Sequence, residues 1–187
     1  MGADKTFGNR FDDPEGEYRV LYAGSDRLTC FVECLACFRP DLKLLAALKE
    51  ISGPDEFARL NVQDWVRFRA MGSAQVEGAF ADIYASEWVA MLRGKLASKA
   101  IALGITEFDL SALQAPRPRR LTQLASRVVH SRGLNGIFYC SRFGSEFENW
   151  ALFEPWTLRD ANCSPLTAGD AELVEAMRRL GIPVAMA

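Results

Sequence analysis

Histidine is nearly absent from the sequence, which holds His130 and no other among its 187 residues. A single histidine leaves no histidine pair for a zinc site and no obvious Ser–His or Cys–His catalytic arrangement. The chain also lacks a G-x-G-x-x-G segment, a phosphate-binding loop and a G-x-S-x-G elbow. The commonest signatures of dinucleotide-binding, nucleotide-hydrolysing and esterase folds are therefore missing. By helical phase His130 lies opposite Leu121, which predicts exposure to solvent.

Long apolar runs and basic blocks are missing as well. No uninterrupted apolar stretch reaches membrane-spanning length, and the polar N-terminus has no apolar signal core. The net charge of −2 argues against direct nucleic-acid binding. Five cysteines, an odd number and mostly clustered, indicate reduced thiols and a cytoplasmic location. Length and composition together predict one globular domain over residues 1–187, with no membrane partner.

Helical and strand patterns alternate without a regular strand–helix–strand rhythm, which predicts an α+β fold. Ser25 is a candidate cap for a helix running to about Phe38, and a capping box at Thr167 predicts a last helix over about 168–180. The other predicted strands are Tyr18–Ala23, Phe80–Tyr84, Gly136–Ser141 and Trp150–Trp156, and the other predicted helices begin at Ser86 and Leu121.

The stretch TCFVECLACF, residues 29–38, carries three of the five cysteines. Its C-x3-C-x2-C spacing is also that of the iron–sulfur site in radical enzymes that use S-adenosylmethionine. Positions 30, 34 and 37 return to the same side of a helix, whereas loops bring thiolates onto a cluster more readily. Since buried cysteine behaves as a small hydrophobe, we expect Cys30, Cys34 and Cys37 to pack in the core. No metal ligand set is predicted.

Glu33 shares that helical face and is therefore expected to point inward. A buried carboxylate is costly unless it is paired, and ionisable groups in such places are often functional. The structural alternative is an ion pair with an arginine such as Arg10 or Arg142. The residues alone leave both interpretations open.

Three segments, in order, resemble the RES domain, a family named for its characteristic Arg, Glu and Ser. Gly8–Pro14 (GNRFDDP) is similar to the family's "GRF" turn followed by proline. Val20–Gly24 (VLYAG) and Phe31–Glu33 (FVE) are similar to its strand and the helix that carries the glutamate. Gly136–Arg142 (GIFYCSR) and Trp150–Phe153 (WALF) resemble the third segment. The resemblance spans roughly residues 7 to 156.

The resemblance implies an ADP-ribosyltransferase-like fold, with small mixed or antiparallel sheets flanked by helices. It implies an NAD+-degrading enzyme that cleaves the nicotinamide–ribose bond by phosphorolysis, as the toxin of a toxin–antitoxin pair. NAD+ is then a substrate and inorganic phosphate the co-substrate, with no prosthetic group. The expected partner is an antitoxin with a helix-turn-helix domain, and a homodimer is compatible with the chain.

Matched motif by motif, the resemblance assigns catalytic roles to Arg10, Glu33 and Ser141, and NAD+ binding to Arg10, Tyr22, Ser141 and Arg142. Arg10 would hold the pyrophosphate with a forked pair of hydrogen bonds. Tyr22 would offer an aromatic face to the cationic nicotinamide ring. Glu33 would stabilise an oxocarbenium-like ribose, and Ser141 would hold Glu33 or a ribose hydroxyl. Arg142 would attract phosphate or neutralise Glu33.

The chain departs from the family pattern at one point. Members usually carry a Tyr-Arg element upstream of the "GRF" turn, and the nine residues before Arg10 contain no such pair. A trimmed chain, a differently built pocket and a lost activity are the three alternatives. The last leads to a second hypothesis, a catalytically silent RES-like module that serves in partner binding. A cluster-dependent radical enzyme ranks third and predicts an iron-containing, coloured protein.

Overall fold

The structure is a computed structural model that describes residues 8–43, 45–46, 60–115 and 117–182. Residue 7, where the motif-bearing part was expected to begin, lies outside the described residues. Backbone contacts group the chain into two compact units, residues 1–25 with 76–158 and residues 26–75 with 159–187. The expectation of a single domain stays a prediction.

The described helices and strands confirm the α+β class, with small sheets flanked by helices. Along the chain they are β1 (Val20–Gly24), α1 (Arg27–Leu35) with a 3-10 turn (Ala36–Phe38), α2 (Val62–Arg67), β2 (Ala70–Val76), β3 (Phe80–Asp82), α3 (Ser86–Ala102), α4 (Leu110–Gln114), α5 (Arg119–His130), β4 (Gly136–Ser141), β5 (Gly144–Phe153), β6 (Leu158–Pro165) and α6 (Ala171–Leu180).

The first unit is built on a four-stranded sheet in the order β1-β5-β4-β3. Strand β5 runs antiparallel to both of its neighbours, and β3 runs parallel to β4. Tyr22 lies opposite Ala151, and Ala151 lies opposite Ile137, so the three side chains share one face of the sheet. Leu92 of α3 and Leu121 of α5 are fully buried in the same apolar cluster. This face therefore lies against the core.

In the second unit, helices α1 and α6 pack against each other, and β2 pairs with β6. Phe31 of α1 lies 6.4 Å, centroid to centroid, from Trp65 of α2. The Arg27 guanidinium joins α1 to the start of α6 by ion pairs with Asp170 and Glu172. Most apolar positions of α1 and α6 are therefore covered within this unit, whereas Val174 of α6 is exposed.

Several predicted boundaries were wrong at the helix ends. Asp26, not Ser25, caps α1, because its carboxylate accepts the Thr29 N–H at 2.7 Å. Asp170, not Thr167, caps the last helix, which begins at Ala171 and ends before Gly181 in the left-handed conformation. In both cases the residue that binds the helix N–H groups lies one to three positions later than the one the pattern indicated.

His130 corrects a further prediction. It is half-buried rather than solvent-exposed, and its ring stacks on Tyr18 at a centroid distance of 3.9 Å. The ring of Phe153 from β5 lies 5.5 Å from it on another side. A helical wheel of α5 alone cannot reveal this contact, because both aromatic partners come from other segments of the chain.

Candidate functional site

The site begins at the turn that carries Arg10 and at its junction with β1. The Tyr22 hydroxyl accepts the Phe11 N–H at 2.8 Å and donates to Asp12 Oδ1 at 3.0 Å. Burial, and next the charge of Asp12, raise the pKa of Tyr22 far above its ordinary value, so the hydroxyl stays protonated. The turn and the strand are thereby fixed against each other at the residue next to Arg10.

Helix α5 holds the same turn from its other side. Thr122 donates to the Arg10 carbonyl at 2.6 Å, Gln123 to the Asn9 carbonyl at 3.1 Å and Ser126 to the Phe11 carbonyl at 2.7 Å. These polar residues of α5 are buried, because they replace the sheet partners that an irregular segment lacks. The turn is consequently an ordered part of the first unit.

The guanidinium of Arg10 is half-buried among aromatic rings. Its Nη2 donates to the Gln114 carbonyl at 2.7 Å, and its carbon lies 5.8 Å from the centroid of the Tyr139 ring. Tyr84 also interacts with Arg10, while its hydroxyl donates to the Cys140 carbonyl at 3.0 Å. Burial raises the pKa of Tyr84, and the positive charge of Arg10 opposes that rise. Arg10 thus sits beside two tyrosines from the β3 and β4 segments.

Ser141 is buried at the last position of β4, two residues beyond Tyr139 on the same strand. Its Oγ accepts the Phe143 N–H at 3.1 Å, at the start of the bulge between β4 and β5. Arg142, by contrast, is exposed, and its guanidinium carbon lies 4.8 Å from the Phe143 ring centroid. Ser141 therefore belongs to the interior of the first unit and Arg142 to its surface.

The prediction that Glu33 points inward is wrong, because its side chain is exposed. The residues that α1 buries are Thr29, Phe31, Val32 and Leu35. The larger apolar side chains take the interior face, and they turn positions 33, 34 and 37 towards solvent. Glu33 belongs to the second compact unit, whereas the other four predicted site residues belong to the first.

The prediction that the cysteines of α1 and the following turn pack in the core is also wrong. Cys34 and Cys37 are exposed and Cys30 is half-buried, so the expected core packing of all three is wrong. Desolvation, and then the neighbouring Cys30 and Glu33, raise the pKa of the Cys34 thiol. Within the part of the chain that the structure describes, no group of three His, Cys, Asp or Glu side chains is placed to hold a metal ion.

The comparison with known families bears directly on these residues. The family model described as the RES domain matches residues 1–167 of the 187-residue chain. The chain belongs to the RES domain family. No curated protein and no solved structure matches it. The RES family is known for NAD-related enzymatic activity, and the match covers every residue that the sequence motifs singled out.

Sequence reasoning on the RES motifs missed four residues around Arg10 and Tyr22: Asp12, Tyr84, Gln114 and Tyr139. Tyr139 lies inside the third motif, and its alternation with Ser141 along β4 is a signal that could have found it. Asp12 lies within the first motif, next to the phenylalanine of the "GRF" turn. Tyr84 and Gln114 carry no such signal, because only the tertiary fold brings them to Arg10.

A surface pocket of about 180 Å³ opens beside the turn. Asn9, Asp12, Tyr18 and Arg19 contribute its polar lining, and the rest is apolar. This volume lies below the range of roughly 300 to 1,000 Å³ typical of sites for drug-sized ligands. The pocket alone is therefore too small for a whole dinucleotide.

Among the described residues, no helix is long and apolar enough to cross a membrane.

Proposed function

We propose that this RES protein degrades NAD+ by cleaving the bond between nicotinamide and ribose, with inorganic phosphate as the acceptor. A phosphate oxygen forms the new bond to the ribose C1′ as the C–N bond breaks. The electron pair of that bond neutralises the positive pyridinium nitrogen, so nicotinamide leaves as a neutral molecule. The other product is ADP-ribose phosphorylated at C1′.

The observation that carries the proposal is the grouping of family residues within the first unit. Arg10 and Tyr22 come from the N-terminal part of the chain, whereas Ser141 lies far from them in sequence, at the end of β4. The Tyr22 hydroxyl binds the backbone next to Arg10, and Arg10 lies over Tyr139, which precedes Ser141 on the inward-facing side of β4. A grouping of Arg, Tyr and Ser on rigid elements supports a binding site rather than scattered structural residues.

Arg10 is suited to hold the pyrophosphate of NAD+. A guanidinium has five N–H donors in a planar fork, and a single carbonyl such as that of Gln114 occupies only part of this capacity. The Tyr139 ring and the Gln114 carbonyl also fix the orientation of the group before the substrate arrives. A lysine at this position would supply the charge without the fork.

Glu33 is the residue we assign to the reacting ribose. Its negative charge would stabilise the positive charge that develops on the sugar as nicotinamide leaves. The Glu33 side chain is exposed on a helix that Asp26 caps, so its carboxylate is accessible to a substrate. Arg142, exposed at the end of β4, is the candidate for attracting the phosphate.

The physiological setting that we propose is a toxin–antitoxin pair. Uncontrolled loss of NAD+ harms the cell that makes the enzyme, so a neutralising protein is required. The expected partner carries a helix-turn-helix domain and binds this chain directly, while the chain itself makes no nucleic-acid contact.

The test measures nicotinamide release from NAD+ by the purified full chain, with and without inorganic phosphate. Release that depends on phosphate, and that falls to background in Glu33→Ala, supports phosphorolysis. Glu107→Ala removes a different exposed carboxylate and serves as the matched control. Release without phosphate would point to hydrolysis or transfer, and no release from a folded protein would overturn the proposed activity.

One observation favours a second candidate, a silent module that binds a partner. The Tyr22 hydroxyl and the Arg10 Nη2 atom already make internal hydrogen bonds, which is also what purely structural residues do. If the protein binds an antitoxin and Arg10→Lys leaves both binding and stability intact, while NAD+ is never cleaved, this candidate replaces the first.

A further inference from the structure

Two exposed thiols at the C-terminal end of α1, those of Cys34 and Cys37, have no part in the proposed reaction. Cys34 lies in the last turn of α1, and Cys37 lies in the 3-10 turn that continues it. Both side chains are exposed, and neither is in a disulfide. The apolar side of the helix is covered through Phe31, Val32 and Leu35, so packing does not explain the cysteines on the opposite side.

The two thiols are close enough to be joined. Residues three apart on a helix have Cα atoms about 5 Å apart, inside the range of roughly 4.4 to 6.8 Å seen across disulfides. Cys37 Sγ donates to the Cys34 carbonyl at 3.5 Å, which places its sulfur over the turn that carries Cys34. Because α1 ends at Leu35, the bond would form where the helix is already changing geometry.

Cys30 is a poorer partner for Cys34. Its Cα atom would lie about 6 Å away, near the upper end of the same range. It is half-buried within the regular part of α1, where forming the bond would disturb the packed helix.

We propose that Cys34 and Cys37 form a reversible thiol–disulfide pair that reacts with small-molecule disulfides. The thiolate of one cysteine attacks a sulfur of the small disulfide and forms a mixed disulfide, and the other small-molecule sulfur leaves as a thiolate, which stays tethered where the small disulfide is cyclic. The second cysteine, as its thiolate, attacks the protein sulfur of that mixed disulfide and displaces the remaining small-molecule sulfur as a thiolate; both small-molecule thiolates then take up protons. Two electrons and two protons pass from the protein to the small disulfide, and the Cys34–Cys37 bond is formed.

The pair is positioned to influence Glu33. A bond between residues 34 and 37 restrains the last turn of α1, and Glu33 is the neighbour of Cys34. Oxidation is then expected to change the rate of NAD+ cleavage, a consequence that rests on the proposed function. The thiol–disulfide pair itself does not depend on it.

The test treats the reduced full chain with excess oxidised dithiothreitol, alkylates the remaining thiols and measures the intact mass. The reduced chain should take up five alkyl groups and the oxidised chain three, because the chain has five cysteines. Tandem mass spectrometry of the tryptic peptide Leu28–Lys43 should place the missing two at Cys34 and Cys37.

Single substitutions decide the pairing. Cys34→Ser and Cys37→Ser should each take up four alkyl groups with or without oxidant. Cys30→Ser and the distant control Cys163→Ser should each fall from four to two. Uptake of five groups by the oxidised natural chain, a persistent mixed disulfide, or an internal disulfide in Cys37→Ser would overturn the proposal.

Nicotinamide release from the oxidised and reduced chains is measured in parallel. If neither form cleaves NAD+ while the mass data show the bond, the proposed activity fails and the thiol–disulfide pair stands. If both forms cleave at the same rate, the pair stands and its influence on Glu33 is refuted.

Discussion

The irregular segment 8–19 and helix α1 each carry residues of the RES motifs, yet their side chains are placed in opposite ways. The segment has little regular structure, but its Asp12 and Asp13 are only 2% and 1% exposed, and each accepts hydrogen bonds at both carboxylate oxygens. Helix α1 is regular and well capped, but Glu33 and Cys34 lie on its exposed side. Regular secondary structure therefore does not indicate which residues of the RES motifs also hold the fold together.

The largest expected effect is a loss of activity without a loss of stability when Glu33 of α1 is substituted. Glu33→Gln removes one charge from an exposed position, where surface substitutions usually change the unfolding free energy by less than about 0.5 kcal/mol. Loss of an electrostatic stabiliser of the transition state costs on the order of a hundredfold in turnover. We therefore expect nicotinamide release to fall about a hundredfold with an unchanged melting temperature. A large drop in the melting temperature would contradict the exposed position of Glu33.

In segment 8–19, by contrast, a substitution should act on stability first. The buried Asp13 carboxylate pairs with Arg127 at 2.9 Å and also accepts backbone N–H groups of its own turn. Asp13→Asn cannot replace all of these charge-assisted bonds, so we expect a loss of about 2 kcal/mol in the unfolding free energy. Urea titration measures it. Glu15→Gln, an exposed neighbour in the same turn, is the control, and an equally small effect of both would contradict this account.

The difference between the two regions also explains what the sequence could predict. Strand β4 was predicted with its bounds, because a β-branched and aromatic run between glycine and a turn is a local signal. The RES motifs singled out Arg10, Tyr22 and Ser141 from residue types and their order along the chain, without information on packing. All three lie in the first unit, and their roles stay a prediction.

The inward direction of Glu33 could not be read correctly from α1 by itself. Both sides of that helix carry apolar or weakly polar residues, so helical phase alone does not choose between them. The side of α1 that carries Phe31, Val32 and Leu35 is the buried one, because residues of α2 and α6 cover it. Tyr84 and Gln114 reach Arg10 for the same kind of reason, through tertiary contacts that leave no local pattern.

The buried Tyr18 of segment 8–19 should make the unfolding free energy depend on pH. Burial raises its pKa to about 12, although the hydrogen bond with Ser126 opposes the rise. The folded state thus holds the phenolic proton more tightly than the unfolded chain, whose tyrosine titrates near pH 10. This contribution is complete below pH 10 and is lost as the pH rises towards 12, by about 2 to 3 kcal/mol.

The measurement is the unfolding free energy between pH 9 and 12, compared with Tyr18→Phe. The variant loses the hydrogen bond to Ser126 at every pH but should fall less steeply above pH 10. Lysines titrate in the same range in both proteins, so the difference between the two slopes isolates Tyr18. Parallel curves would show that Tyr18 ionises as readily in the folded protein as in the unfolded one.

The smallest expected effect tests the cap of α1, the helix that carries Glu33. Asp26→Ala removes the acceptor of the Thr29 N–H and should lower the unfolding free energy by about 1 kcal/mol. Asp26→Asn caps a helix nearly as well and should retain most of the stability. Amide hydrogen exchange locates the effect, since the Thr29 amide should lose protection in Asp26→Ala and keep it in Ser25→Ala. The reverse result would restore Ser25 as the cap and move the start of α1 by one residue. Such a shift of the cap would leave Glu33 exposed, because the burial of Phe31, Val32 and Leu35 fixes which side of the helix faces inward.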